Sequence, residues 1–316
     1  MRIARPSLRA RFFSAIYRLL IRRRSWGRDD AAVARRARRL FNTPWPSRWF
    51  GRRWLKVEAV VGGGARGERL TPAGSAGRGG VIMYVHGGGY VSCSAATHRP
   101  ITGALARLTS LRVFAIDYRL APEHRCPAAL DDAVAAYRQL LDEGFAGEQI
   151  ALAGDSAGGG LVLALLVRLR DENFPAPACA VCFSPWTDMT GSGASVTKND
   201  GRCAMFRPES IGQFASVYLG DASPADCESA SPAFANLGGL PPVLLHVGST
   251  ELLLDDSRRV HKKIQAARGE RKPRAASRIR VFKDAPHCWQ MLDPFVPEAR
   301  RSLKEAAEFI NSHVRA

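Results

Sequence analysis

Short apolar runs alternate with longer stretches of helical period through most of this chain. The runs at 81–85, 112–116, 150–154, 179–184, 243–247 and 279–283 read as strands, most without the in–out alternation of a strand with one wet face. Between and after them, 97–109, 127–143, 157–171, 255–268 and 297–312 place apolar residues at the three- and four-residue spacing of helices. Strands of this kind, separated by helices, predict a mostly parallel central sheet covered by helices on both faces, an α/β architecture. Residues 189–240 break the alternation. They are rich in Gly, Ser and Ala, with one helix expected near Pro208 to Leu219, and read as an excursion from the sheet. Ahead of the sheet, 7–23 and 29–41 predict two helices, and Thr43 to Trp54 predicts a packed connector. Leu55 to Val61 predicts a strand, and Gly62 to Gly80 a glycine-rich segment with a hairpin turn.

Charge changes the picture at one end only. The chain has 316 residues with 46 Lys and Arg against 29 Asp and Glu. The first 56 residues hold 17 of the bases and only Asp29 and Asp30 of the acids, a net +15, which leaves the remainder at +2. The field therefore belongs to the N-terminus. A solvated arginine face on a helical pair is the plain reading. Peripheral contact with an anionic membrane surface is the second, and nucleic acid is not an expected partner. Leu8, Phe12, Ile16 and Leu19 recur at helical spacing, as in an amphipathic helix. Arg18 and Arg22–Arg24 interrupt any leader-like apolar core, and nothing approaches about 18 uncharged apolar residues in a row. Seven scattered cysteines read as reduced thiols in a cytoplasmic protein, and Cys179 and Cys182 should point to opposite faces of one strand.

Candidate chemistry lies where strands end. His86-Gly-Gly-Gly-Tyr90 follows one strand, and Gly154-Asp-Ser-Ala-Gly158 joins another to a helix. The second is the G-x-S-x-G elbow, whose sharp turn lifts a serine hydroxyl to the top of the sheet. The first can supply backbone N–H groups to an oxyanion. Together they imply Ser156 as a nucleophile, with Gly87, Gly88 and Ala157 as oxyanion donors. The base should come from a strand's carboxyl end late in the chain. His287 fits, whereas His313 falls at the end of the terminal helix. Three carboxylates compete to orient it. Glu251 takes the tight-loop position, ahead of Asp255 and Asp256, which suit a helix start. Asp117, Arg119, Glu123 and His124 predict a buried network bracing nearby loops, and His98 and His246 predict structural histidines. No metal or organic cofactor is called for.

These motifs, with Asp117-Tyr-Arg-Leu-Ala-Pro-Glu-His124, Ser231-Pro232, Gly239-Leu-Pro-Pro242 and Pro286-His287, closely resemble those of the hormone-sensitive lipase group of α/β-hydrolase esterases, the bacterial carboxylesterases. Glu251 departs from the aspartate of many members. The resemblance implies an α/β-hydrolase domain over 55–188 and 221–316, capped by segments 1–54 and 189–220. It also implies hydrolysis of short- to medium-chain carboxylic esters as small-molecule substrates. Tyr90, Phe206 and Phe214, with Phe12 and Phe13, are candidates for shaping the pocket, and a homodimer is one expected assembly. An amidase, deacetylase or lactonase would use the same residues. A non-catalytic receptor would have no need of Ser156 and His287.

Overall fold

The computed structural model describes residues 6–24, 26–27, 29–42, 55–62, 64–74, 79–222, 228–267 and 277–315. Eight strands form one sheet: β1 (Leu55–Gly62), β2 (Ala65–Pro72), β3 (Val81–Val85), β4 (Arg112–Ile116), β5 (Ile150–Asp155), β6 (Cys179–Phe183), β7 (Val243–Gly248) and β8 (Arg278–Phe282). Their spatial order is β1-β2-β4-β3-β5-β6-β7-β8. The pairs β1–β2 and β2–β4 are antiparallel, and every pair from β4 through β8 is parallel.

Successive residues of β3 explain the unbroken apolar runs. Ile82 and Tyr84 pack into one core, with Ile101 and Leu105 of α3 (Arg99–Thr109) and Leu303 and Ile310 of α9 (Pro297–Asn311). Val81, Met83 and Val85 pack into the other, with Leu130 of α4 (Ala128–Asp142), Val162 of α5 (Ser156–Asp171) and Val260 of α8 (Leu254–Ala266). Each fully buried side chain of this size is worth roughly 1.5–3 kcal/mol, so neither face tolerates a polar residue cheaply. Cys179 and Cys182 also divide between the two cores, and both are free thiols. Cys126, by contrast, is disulfide-bonded, which corrects the all-thiol reading. Disulfides are rare in reducing compartments, so the cysteines no longer argue for a cytoplasmic site. Among the described residues no helix is long and apolar enough to cross a membrane.

The glycine-rich stretch after β1 holds more than a turn. β2 occupies Ala65–Pro72, and its polar side chains conceal it: Glu68 pairs with Arg99, and Arg69 with Glu143. The connector expected from Thr43 to Trp54 lies outside the described residues.

The expected first helix runs as α1 (Leu8–Tyr17) and then widens into a π turn at Arg18–Arg22. α2 (Asp30–Phe41) is capped by Asp29, whose carboxylate accepts the Ala32 N–H, and buries Val33, Ala34 and Ala37. The excursion carries α6 (Ala194–Lys198) and α7 (Pro208–Leu219). Trp26 joins the two regions. It is 4% exposed, with its ring stacked on Phe41 at 5.7 Å and set against Phe206 and Phe214 at 6.1 and 5.1 Å. Arg18 adds hydrogen bonds to the carbonyls of Gly201 and Arg202, and Arg22 pairs with Asp200. Trp26→Ala should lower the unfolding free energy in a urea titration by about 3–5 kcal/mol. A loss below about 0.5 kcal/mol would show that the N-terminal segment is not part of the cooperative unit.

Candidate active site

Strand ends converge on one point. Ser156 starts α5 directly after β5, with φ +51°, a left-handed backbone that ordinary residues avoid. The flanking glycines make this turn sterically feasible. A Cβ on Gly158 would lie 2.1 Å from the Val85 carbonyl oxygen, and one on Gly154 would lie 2.6 Å from the Gly158 carbonyl oxygen. His287 follows β8, and Glu251 follows β7. The imidazole Nε2 lies 2.9 Å from Ser156 Oγ, and Nδ1 lies 2.6 Å from Glu251 Oε2. A carboxylate only accepts, so Nδ1–H donates to Glu251 and Nε2 is free to accept from the serine hydroxyl. Glu251 is fixed in turn. Its Oε1 accepts the Ser184 hydroxyl at 2.8 Å and the Gly248 N–H at 2.5 Å, and Asn199 Nδ2 donates to its carbonyl at 2.8 Å. Glu251 is 1% exposed and His287 5% exposed.

The competing residues lie in other contacts. Asp255, in the first turn of α8, accepts the Ser195 N–H and pairs with Arg258. Asp256 accepts the N–H groups of Thr187 and Asp188, and burial pushes its carboxyl up to about 7. His313 lies just past the terminal helix, against the Phe309 carbonyl. His246 is buried in β7 beside Ser302, and burial pushes it down to about 3.

Gly87 departs from its expected role. Its N–H donates to Asp155 Oδ1 at 3.0 Å, so it cannot also serve an oxyanion. Gly88 and Gly89 line the cavity beside Ser156, and their N–H groups donate to no described residue. The Ala157 N–H, in the first turn of α5, lacks an intrahelical acceptor. Tyr90 also departs from expectation. It is 1% exposed, stacks on Tyr218 at 3.8 Å, and is not in the cavity wall. Phe206 and Phe214 are in that wall, and the Phe206 ring stands edge-on to His287 at 5.5 Å. Phe13 lines the cavity, while Phe12 faces solvent. The cavity is about 320 Å³ and mostly apolar. Among the described residues no group of three or more His, Cys, Asp and Glu could hold a metal ion.

The expected buried network around Asp117 is not formed. Arg119 pairs with Asp132 and Glu123 with Arg38, while Asp117, Arg119, Glu123 and His124 are all exposed. The burial cost of a charge explains why Arg119, Glu123 and His124 stay in water, while the Asp117 carboxylate accepts the Ala95 N–H at 2.6 Å. The buried charge is one the sequence reading did not single out, Asp155. It accepts the Tyr84 hydroxyl at 2.7 Å, the Gly87 N–H, and His98 Nε2 at 3.3 Å. Burial alone would raise its pKa. The charge and hydrogen bond of His98, with the Tyr84 hydroxyl, outweigh that and hold it at about 2. Its only sequence signal was adjacency to Ser156. Ser184, the residue behind Glu251, gave none.

A family model described as alpha/beta hydrolase fold matches residues 82–291. An esterase from the bacterial hormone-sensitive lipase family superposes with a TM-score of 0.87 at 36% identity, over 99% of this chain and 100% of its own. This chain belongs to the hormone-sensitive lipase family of α/β-hydrolase esterases. Similar curated proteins include an acetyl-hydrolase of Streptomyces hygroscopicus, 40% identical over 81% of this chain and 82% of its own. An esterase of Acinetobacter venetianus is 34% identical over 82% of each. The family member described here is a carboxylic ester hydrolase.

Because Asp155 is held below its ordinary value, its stabilisation is present above about pH 4 and is lost as pH falls toward 2. Asp155→Asn should flatten that acid limb in thermal unfolding and cost about 2 kcal/mol at neutral pH. It should also lower kcat by about tenfold or more, because the glycine loop loses its anchor. An unchanged acid limb would rule out Asp155 as the charged anchor.

Proposed function

We propose that this esterase hydrolyses short- to medium-chain carboxylic esters, with Ser156 as nucleophile, His287 as general base and acid, and Glu251 as the carboxylate that orients it. The observation that carries the reading is the hydrogen-bonded series from Ser156 through His287 to Glu251, opening into an apolar cavity. The Ser156 hydroxyl passes its proton to His287 Nε2 as its oxygen bonds to the ester carbonyl carbon. The resulting oxyanion is held by the N–H groups of Gly88, Gly89 and Ala157. As the tetrahedral intermediate collapses, the carbon–oxygen bond to the alcohol breaks and His287 returns the proton to that alcohol. Water, deprotonated by His287, then attacks the acyl-enzyme and releases the acid with Ser156 restored. Glu251 stabilises the imidazolium that forms in each half-reaction.

A cavity of about 320 Å³ is at the small end for ligand sites, which supports modest acyl and alcohol groups. The name of the Streptomyces relative, an acetyl-hydrolase, agrees with a short acyl chain. Segments 1–54 and 189–220 are proposed as a two-part cap over the body formed by 55–188 and 221–316. The packing of Trp26 against Phe206 and Phe214 supports this division.

Hydrolysis of p-nitrophenyl esters from acetate to palmitate should peak at short chains and fall by at least about 10³-fold in Ser156→Ala. Retained turnover in that variant would sink the mechanism. Glu251→Gln should lower kcat by about 10²-fold or more, and Asp255→Asn by less than about threefold. Equal or reversed losses would remove Glu251 from its assigned role.

A further inference from the structure

The outer face of the N-terminal helix carries large apolar side chains in open solvent. Leu8 is 78% exposed, Phe12 62%, Leu19 59% and Leu20 48%. Leu8, Phe12, Ala15 and Leu19 follow one another at spacings of four, three and four, so they form one stripe. That stripe lies opposite the buried Ala10 and Ile21. On the α-helical turns Arg11 flanks it on one side and Arg9 on the other, and Arg23 and Arg24 are exposed just past the π turn, whereas Arg18 and Arg22 bond to the protein at Gly201, Arg202 and Asp200. Residues 6–24 contain no acid, and Arg11 and Arg23 pair with no described residue. The helix cannot hide this face by rolling over. The Ser7 N–H and hydroxyl both donate to Glu298 at 2.6 and 2.8 Å, and Ala10 packs among Phe282, Trp289 and Val296.

The stripe also leads to the cavity. Leu20 lines the cavity while facing solvent, as does Phe295, which is 40% exposed and whose carbonyl accepts from Arg9 at 3.4 Å. Phe13 and Tyr17, on the inner side of the same helix, continue the apolar wall inward.

We propose that this face docks on an anionic lipid surface, with α1 lying in the interface and the cavity mouth opening toward the bilayer. An apolar stripe flanked by exposed arginines matches such an interface in both respects: acyl chains take the leucines and Phe12, and headgroup phosphates take the guanidinium groups of Arg9, Arg11, Arg23 and Arg24. Nucleic acid would match the arginines but offer nothing to the stripe. Amphiphilic esters dissolved in the bilayer then reach the cavity along Leu20 and Phe295. That final step rests on the proposed ester chemistry, while the docking does not.

The test is co-sedimentation of the full chain with vesicles of phosphatidylcholine alone or mixed with phosphatidylglycerol. Binding is expected to the mixed vesicles and to weaken as salt approaches about 1 M, where screening acts within about 3 Å. Phe12→Asp with Leu19→Asp should lower partitioning about tenfold or more. Arg11→Gln with Arg23→Gln should do the same at low salt. Both double variants should hydrolyse a water-soluble short ester as the wild type does, and Ser156→Ala should bind vesicles normally, which separates docking from catalysis. Absent binding to mixed vesicles, or binding indifferent to Phe12 and Leu19, would overturn the proposal. So would a dimer in sedimentation equilibrium that the Phe12/Leu19 variant splits, which would assign the stripe to a second copy. Binding to duplex DNA in place of vesicles would overturn it in favour of nucleic acid.

Discussion

A single buried carboxylate connects the two loops on which the candidate active site is built. Asp155 is the last residue of β5, so its backbone leads directly into the strained turn that presents Ser156. Its side chain reaches the neighbouring strand end, where it takes the Gly87 N–H, and extends to Tyr84 and His98. The Ser156 turn and the glycine loop therefore share one charged anchor. In a low-dielectric interior such an anchor is strong while fully bonded and costly when any donor is lost. The position of Gly88 and Gly89 beside Ser156 follows from where Gly87 is tied.

The same geometry explains what could and could not be read from the residues. β3 through β7 were legible because parallel strands buried on both faces leave apolar runs with clear ends. β2 was not, since its half-buried Glu68 and Arg69 side chains find partners in Arg99 of α3 and Glu143 at the end of α4 and carry no apolar period. Motif and chain order pointed to Ser156 and His287, which the fold brings to 2.9 Å of one another. Glu251 could be ranked above Asp255 only by loop position, and its separation from that rival depends on Ser195 lying across the first turn of α8. Three consecutive glycines look alike in a sequence. Which of their N–H groups points to the cavity depends on where a carboxylate from another strand arrives. Tyr90 failed as a pocket residue for a related reason, since its ring found Tyr218 behind the loop.

The cysteines show how a composition argument can mislead. An odd number, widely spaced, suggested free thiols throughout. Cys93, Cys179, Cys182, Cys203 and Cys288 are free, but Cys126 is bonded, and sequence spacing contains no information about such closure.

The cavity wall and the hydrogen-bonded series from Ser156 to Glu251 come from different parts of the chain. Ser156, Glu251 and His287 stand at the ends of sheet strands, locked by backbone geometry. Much of the wall comes from Phe13, Tyr17, Phe206 and Phe214, carried on segments outside the sheet. On the proposed mechanism, selectivity and chemistry are thus encoded in separable stretches of sequence. Drift in the wall can retune which molecules are accepted while the sheet keeps its register, so related chains with one reactive centre are free to diverge widely in diet.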